Sequence, residues 1–339
     1  MKKILVTGGC GYIGSHTLVD LIDHGFEVIS VDNLCNATEK SLNGIRKITG
    51  KNVKNYRIDL TDEHALGSVF SENTDIIGVI HFAALKAVGE SVEMPLRYYK
   101  NNLSGLLNLL QVMTEYHIPN LIFSSSCSVY GNTEVLPVTE MTPRQEAESP
   151  YGRTKQIGED ILFDLAKTDS SMATILLRYF NPAGAHESAF IGESPANPAS
   201  NLIPVITEAA ANKRPPLTVF GTDYPTRDGS CIRDYIHVMD LAHAHTLALQ
   251  YLLDKKNEEQ CSVFNLGIGE GVSVLEALTA FEDETKVRAP FVLGNRRPGD
   301  VVEIYADYQK AAEILGWNPS RSIRDIMRTA WEWEKVKNL

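Results

Sequence analysis

Nowhere in this chain does an apolar run approach the roughly 20 residues that a membrane-spanning helix needs. The 339 residues are also poor in cationic groups: 32 Lys and Arg stand against 43 Asp and Glu, a formal charge of −11. Non-specific binding to nucleic acid or to an anionic membrane surface needs a basic stripe, so neither partner is expected. Cysteines are few, and the five (Cys10, Cys35, Cys127, Cys231, Cys261) are odd in number, scattered and without a C-x-x-C pair. That usage predicts reduced thiols rather than a disulfide framework. After Met1-Lys2-Lys3 the apolar run is only Ile4-Leu5-Val6. A secretory signal needs ~7–15 apolar residues there, so a cytoplasmic location is expected. Internal repeats and low-complexity segments are missing too. What is present is ordinary globular composition, 43% hydrophobic and 22% charged, in a chain long enough to bury a core without staples.

The first 180 residues alternate short β-branched runs with helical patterns. Strands are expected at Lys3–Thr7, Glu27–Val31, Val53–Ile58, Ile76–Phe82, Asn120–Ser124 and Ala173–Arg178, with a helix from Tyr12 to about His24. Near-continuous apolar strands separated by helices indicate a parallel sheet covered on both faces, hence a doubly wound α/β, Rossmann-type domain. Two helical patterns carry long apolar stripes. One runs from Pro95 through Leu96, Tyr99, Leu103, Leu106, Leu107, Leu110 and Met113, the other from Tyr151 to about Ala166 through Ile157, Ile161, Leu162 and Leu165. Such stripes serve either sheet coverage or a subunit interface. After Arg178 prolines break the alternation; Ile236 to about Leu253 reads as helix and Ser262–Asn265 as one more strand. The expected division is residues 1–180 plus about 235–265 for a cofactor unit. Residues about 181–234 plus 266–339 then form a smaller, interleaved α/β substrate unit whose loops wall a cleft.

Gly8-Gly9-Cys10-Gly11-Tyr12-Ile13-Gly14 follows the first strand directly and opens the first helix. Glycines there let the backbone approach a pyrophosphate while the helix N-terminus supplies N–H groups and positive potential. Asp32 ends the second strand, where an acid bonds a ribose 2′-hydroxyl and repels a 2′-phosphate, so NAD is expected over NADP. The spacing of Gly8, Gly11 and Gly14 is the G-x-x-G-x-x-G variant of the short-chain dehydrogenase/reductase superfamily. Tyr151 and Lys155 stand at i and i+4, on one helix face. Tyr251 and Lys255 match that spacing too, but no serine run accompanies them. The first pair follows Ser124-Ser125-Ser126-Cys127-Ser128 at the end of a strand, where sites of doubly wound sheets form. A tyrosine with a reference pKa of about 10 is a poor base at neutral pH. A nearby ammonium and a positive nicotinamide would lower it. The trio specifies proton plus hydride transfer at a carbinol.

Longer motifs name a substrate. His81-Phe82-Ala83-Ala84-Leu85-Lys86-Ala87-Val88-Gly89-Glu90-Ser91, Leu177 through His186, and Arg233-Asp234-Tyr235-Ile236-His237-Val238 closely resemble the UDP-glucose 4-epimerase family. The resemblance runs from Lys3 to about Trp333 and includes Thr7 through His16 and Arg296 through Asp300. One departure is Ala84, where the family usually has glycine. The resemblance implies reversible interconversion of UDP-glucose and UDP-galactose through a 4-keto sugar on tightly held NAD, in galactose metabolism and nucleotide-sugar supply. It implies that Tyr151 takes the 4-hydroxyl proton, Ser126 holds the sugar oxygen, and Lys155 bonds the nicotinamide ribose and tunes the tyrosine. The implied NAD contacts are Gly8, Gly11, Tyr12, Ile13, Gly14, Asp32, Asn33, Leu34, Cys35, Asn36, Ala37, Asp59, Leu60, Phe82, Ala83, Ala84, Leu85, Lys86, Asn101 and Phe180, with the catalytic trio. Asn181, Asn201, Arg233, Arg297 and Asp300 are implied to hold the UDP part. Ile304 resembles the gate to the sugar 2-substituent pocket, which predicts some activity on N-acetylated UDP-hexoses. The two apolar helices are implied to pair with their twins in a homodimer.

Simpler roles stand beside several of these. Arg233 next to Asp234, and Arg297 near Asp300, also read as ion pairs; Asn181 before Pro182 also reads as a turn residue. Tyr305 is an alternative closure for the sugar pocket. His243 and His245, at i and i+2, do not share a helix face, so no metal is expected. Cys127 lacks a paired histidine and reads as a packing residue. Dehydratases of nucleotide sugars carry Asp-Glu after the catalytic hydroxyl residue, where this chain has Cys127 and Ser128. Non-catalytic NAD-sensing relatives lose the Tyr or Lys that this chain keeps.

Overall fold

The computed structural model describes residues 2–168, 171–195, 198–297 and 301–337. Seven segments become strands, all but the short third one carrying Val, Ile or Leu: β1 Lys3–Thr7, β2 Glu27–Val31, β3 Lys54–Tyr56, β4 Ile76–His81, β5 Asn120–Ser126, β6 Ala173–Tyr179 and β7 Cys261–Leu266. They form one parallel sheet in the order β7-β6-β5-β4-β1-β2-β3. The order reverses between β1 and β4, which opens a crevice beyond their carboxyl ends. The helices are α1 Tyr12–Asp23, α2 Lys40–Thr49, α3 Glu63–Glu72, α4 Val88–Glu93, α5 Pro95–Glu115, α6 Pro150–Thr168, α7 Leu202–Ala210, α8 Val238–Leu253, α9 Val274–Thr285, α10 Gln309–Leu315 and α11 Ile323–Val336.

Period-2 alternation along the strands sorts their side chains onto two faces. Ile4, Val6, Ile175 and Leu177 pack against Leu18 and Leu21 of α1, Ile45 of α2 and Leu241 and Leu249 of α8. Leu5 and Leu176 point the other way, into Leu66 and Phe70 of α3, Leu106 and Leu109 of α5 and Leu162 of α6. A third cluster joins Ile203 and Ile206 of α7, Leu278 and Phe281 of α9 and Ile326 and Met327 of α11. Leu315 of α10 and Trp317 belong to the first sheet face, although their sequence position falls late in the chain. Ser273 with Glu276, and Ser322 with Asp325, form capping boxes that start α9 and α11.

Several boundaries differ from the sequence reading. Ile236 does not begin a helix: Tyr235–His237 pairs in parallel with Asn181–Ala183, and α8 starts at Val238. The His237 side chain accepts from the Met239 N–H and so caps the helix there. The stripe on α5 is split: Leu106, Leu110 and Met113 are buried under the sheet, whereas Leu96 and Leu107 are exposed. No helix among the described residues is long and apolar enough to cross a membrane.

Candidate active site

Gly8 adopts φ 69°, and a Cβ there would lie 2.8 Å from the Ala83 nitrogen. A Cβ on Gly14 would lie 2.2 Å from the Gly8 carbonyl oxygen, so the first turn of α1 sits directly on the glycine loop. Gly11 is the N-cap of α1 and offers no side-chain cap, and the first turn carries no acid. The N-terminal N–H groups therefore face outward with a favourable dipole, as an anionic diphosphate requires. The Asp32 carboxylate accepts from the Cys10 N–H at 3.1 Å and the Leu34 N–H at 2.8 Å. Burial raises its pKa, and those two N–H groups oppose the rise. Together the glycine cradle, the uncapped helix and the acid at the end of β2 fit NAD.

One cleft of about 2040 Å³ runs along the carboxyl ends of β1, β4 and β5. It is lined by Gly8, Gly11, Tyr12, Ile13, Gly14, Asp32, Asn33, Cys35, Asn36, Ala37, Asp59, Leu60, Phe82, Ala83, Ala84, Leu85, Lys86 and Asn101. Ser126, Tyr151, Lys155, Phe180, Asn181, Asn201, Arg233, Arg297 and Ile304 line it as well. Leu34 does not: it is a turn residue at φ 62° whose N–H is held by Asp32. Asp300 lies outside the described residues.

Ser126 ends β5 and caps the 3-10 turn Cys127–Tyr130, accepting from the Ser128 N–H at 3.2 Å. Its side chain also bonds Tyr151. Burial pushes the Tyr151 phenol up to about 12, against the Ser126 hydrogen bond. Lys155 Nζ donates to the Ser124 carbonyl at 2.6 Å and lies 5.9 Å from the Tyr151 ring centroid. Burial lowers Lys155 to about 8, while Glu159 one helical turn on favours its cation. The Ser124 hydroxyl bonds the Tyr179 phenol, so one serine supports the site through both its carbonyl and its side chain.

Arg233 and Asp234 do not pair with each other. Asp234 is fully buried and accepts from the N–H groups of Ile268, Gly269 and Ala306, while Arg233 donates to the Ile232 carbonyl and lines the cleft. Burial lifts Asp234 to about 6 against those three hydrogen bonds. Burial likewise pushes the Cys127 thiol up to about 12, which favours the protonated form. Tyr251 and Lys255 do not share a helix, since α8 ends at Leu253 and Lys255 adopts φ 54°.

Three residues escaped the sequence reading. Glu193, nearly buried, accepts through one oxygen from Lys86 at 3.2 Å and from Asn201 at 2.8 Å. Asn102 clamps the loop after β4, exchanging hydrogen bonds with the Leu85 backbone and reaching Thr154 of α6. Tyr179 is the third. A lone Glu in a Ser/Pro loop, or an Asn inside a helix, has no local pattern that marks it.

Comparison with known proteins agrees with this geometry. A family model described as GDP-mannose 4,6 dehydratase matches residues 5–330. UDP-glucose 4-epimerase 2 of Arabidopsis thaliana is 49% identical over 335 residues, covering 98% of this chain and 95% of that protein. A UDP-glucose 4-epimerase from Stenotrophomonas maltophila, solved with NAD and formylated UDP-arabinopyranose, superposes with a TM-score of 0.96 at 45% identity, over 100% of this chain and 99% of the other. That from Bifidobacterium longum, solved with NAD+ and UDP, gives 0.94 at 45% identity over 99% of each chain. With identity near one half along almost the full length of both sequences, this chain belongs to the UDP-glucose 4-epimerase family.

Proposed function

We propose that the glycine-loop side of the cleft holds NAD and the opposite wall a UDP-hexose, with Tyr151 as the acid–base residue between them. The reaction is reversible C4 epimerisation of UDP-glucose and UDP-galactose. Supporting it most directly is the convergence of Ser126, Tyr151 and Lys155 beside the glycine loop in one cleft. NAD, when bound, accepts the C4 hydride and returns it, and its positive ring favours the phenolate beside it. Tyr151 accepts the 4-hydroxyl proton and later gives it back. Ser126, already anchored by the Ser128 N–H, directs its own O–H to the sugar oxygen. Lys155, held by the Ser124 carbonyl, keeps a cation near the phenol. Arg233 and Arg297 match a diphosphate, which their planar forks bind through two oxygens, and Asn181 and Asn201 complete that wall.

Ile304 is buried against Val129, Tyr130 and Phe180 while lining the cleft. Tyr305 does not line it. This favours Ile304 as the residue that limits the sugar 2-substituent, with N-acetylated UDP-hexoses accepted less efficiently. Residues 1–180 with about 235–265 form the cofactor unit and 181–234 with 266–339 the substrate unit, α10 lying on the cofactor side. α5, on which Leu96 and Leu107 are exposed, and α6 suit a four-helix homodimer interface with their twins, measurable by light scattering. The free cysteines suit a cytoplasmic location.

The test is conversion of UDP-galactose to UDP-glucose by purified protein. Tyr151→Phe should retain NAD and lose roughly 10²–10⁴-fold in kcat, the worth of a general base. Near-normal kcat in that variant removes Tyr151 from the chemistry. Formation of a 4-keto-6-deoxy sugar would indicate a dehydratase instead. Cys127 and Ser128 disfavour that outcome, because neither supplies an acid–base pair at neutral pH.

A further inference from the structure

Asp20 and His24 are four residues apart at the end of α1, so they share one face. α8 packs beside α1 on the same side of the sheet and brings His243 against them. The rule that separates His243 from His245 within a helix says nothing about this tertiary neighbour. His245 is buried against Phe82 and Tyr179, whereas His243 faces the α1 seam. The Nδ1 atoms of His24 and His243 lie 3.3 and 3.4 Å from the same Asp20 Oδ2. The two imidazole centroids are 5.1 Å apart, tilted by 32°. One ligand atom from each of the three residues lies within 4.8 Å of the others.

These spacings have a chemical meaning. A tetrahedral ion with N and O ligands at about 2.0–2.2 Å separates those ligands by roughly 3.3–3.6 Å. Both carboxylate–imidazole separations already have that value. Hard cations require a shell of oxygens, which one carboxylate cannot provide. Two imidazoles with one carboxylate suit a borderline ion such as Zn2+ or Co2+. The neighbours permit it: Arg321, whose charge opposes that of His243, is paired with Asp240 at 2.5 Å. Asp20 meets His243 Nδ1 at 3.4 Å, and an aspartate with a reference pKa of about 3.9 is a carboxylate at neutral pH. The imidazoles are half exposed, which leaves an entry path and a fourth position for water.

We propose that Asp20, His24 and His243 form a binding site for one Zn2+-like divalent transition-metal ion that clasps α1 to α8. On binding, the ion displaces the proton shared between His243 and Asp20. In the ion-free protein His24 donates its Nδ1–H to the Asp20 carbonyl at 2.7 Å; coordination breaks that hydrogen bond, the Nδ1 proton passes to solvent, and the bound ring keeps a single proton on Nε2. None of the three lines the catalytic cleft, so the ion is structural and epimerisation does not pass through it.

The experiment uses the NAD-loaded protein stripped with a chelator, then titrated with ZnCl2 by calorimetry and with CoCl2 by visible absorption. The expected result is one ion per chain, the intense d–d bands of a tetrahedral cobalt site, and a raised melting temperature. His24→Ala and His243→Ala should each weaken binding by roughly 10-fold or more with epimerase kcat/KM unchanged. His117→Ala, at an exposed position, should change neither. Absence of stoichiometric binding in the wild type overturns the proposal. So does binding that persists in both His24→Ala and His243→Ala.

Discussion

Gly14→Ala isolates what the glycine loop does. The added Cβ would sit 2.2 Å from the Gly8 carbonyl oxygen and 2.8 Å from Gly9 Cα, where ordinary contact begins near 3.4 Å. Both obstacles are backbone, so α1 and the loop must part by roughly 1 Å, enough to stretch an N–H···O hydrogen bond of ~2.9 Å out of range. Losing two such bonds to a charged diphosphate, at about 1.5–3 kcal/mol each, weakens NAD retention by roughly 10²–10⁴-fold. Fold stability changes far less. Overpacking costs about 1–3 kcal/mol and the helix propensity of alanine over glycine returns up to about 1 kcal/mol. Gly50→Ala is the control: Gly50 has φ 71° and nothing within 4 Å of an added Cβ. It should lose about 1–2 kcal/mol from left-handed backbone alone and keep its cofactor. The assay is NAD content per chain after extraction, beside urea unfolding of each variant. If Gly14→Ala retains NAD as the wild type does, the loop does not carry the diphosphate. Equal NAD loss in Gly50→Ala would attribute the effect to stability.

Three further outcomes are expected. Lys155 is lowered to about 8 by burial, so its cation is present below that pH and lost above it; kcat should fall as pH rises through about 8, and a flat profile to pH 10 would exclude Lys155 from tuning the phenol. Ile304→Tyr should abolish activity on UDP-N-acetylglucosamine while sparing UDP-glucose, and Ile304→Ala should raise it; unchanged ratios of kcat/KM would discard the gate. Burial holds His16, His81 and His237 to about 3 and His245 to about 4. The unfolded chain takes these protons near pH 6.5. Each site then removes up to about 1.4 kcal/mol per pH unit as pH falls from there towards the folded values. Asp234, raised to about 6, opposes them with the reverse sign. Urea midpoints measured from pH 7 to pH 5 should therefore decline, and a constant midpoint would mean these imidazoles protonate in place.

The candidate site residues were readable because local rules mark them. A glycine turn between strand and helix, an acid at the end of β2, and Tyr and Lys one helical turn apart are each short-range patterns. Strand positions were readable because a doubly buried sheet demands near-continuous apolar runs. Boundaries were less so: Ile236 fits the apolar pattern of α8, and only pairing of Tyr235–His237 with Asn181–Ala183 assigns it to a strand.

Sequence by itself therefore determined the doubly wound class, and it marked the glycine turn and the candidate trio Ser126, Tyr151 and Lys155, because these follow from short-range patterns. Tertiary structure alone decided what lies between distant segments. Glu193 bridges Lys86 and Asn201, Asp234 gathers three backbone N–H groups instead of pairing with Arg233, and Lys155 turns to the Ser124 carbonyl. His243 meets Asp20 across 223 residues. The reason is physical: hydrogen-bond partners and burial are properties of the packed surroundings, and a side chain's neighbours in sequence do not specify them.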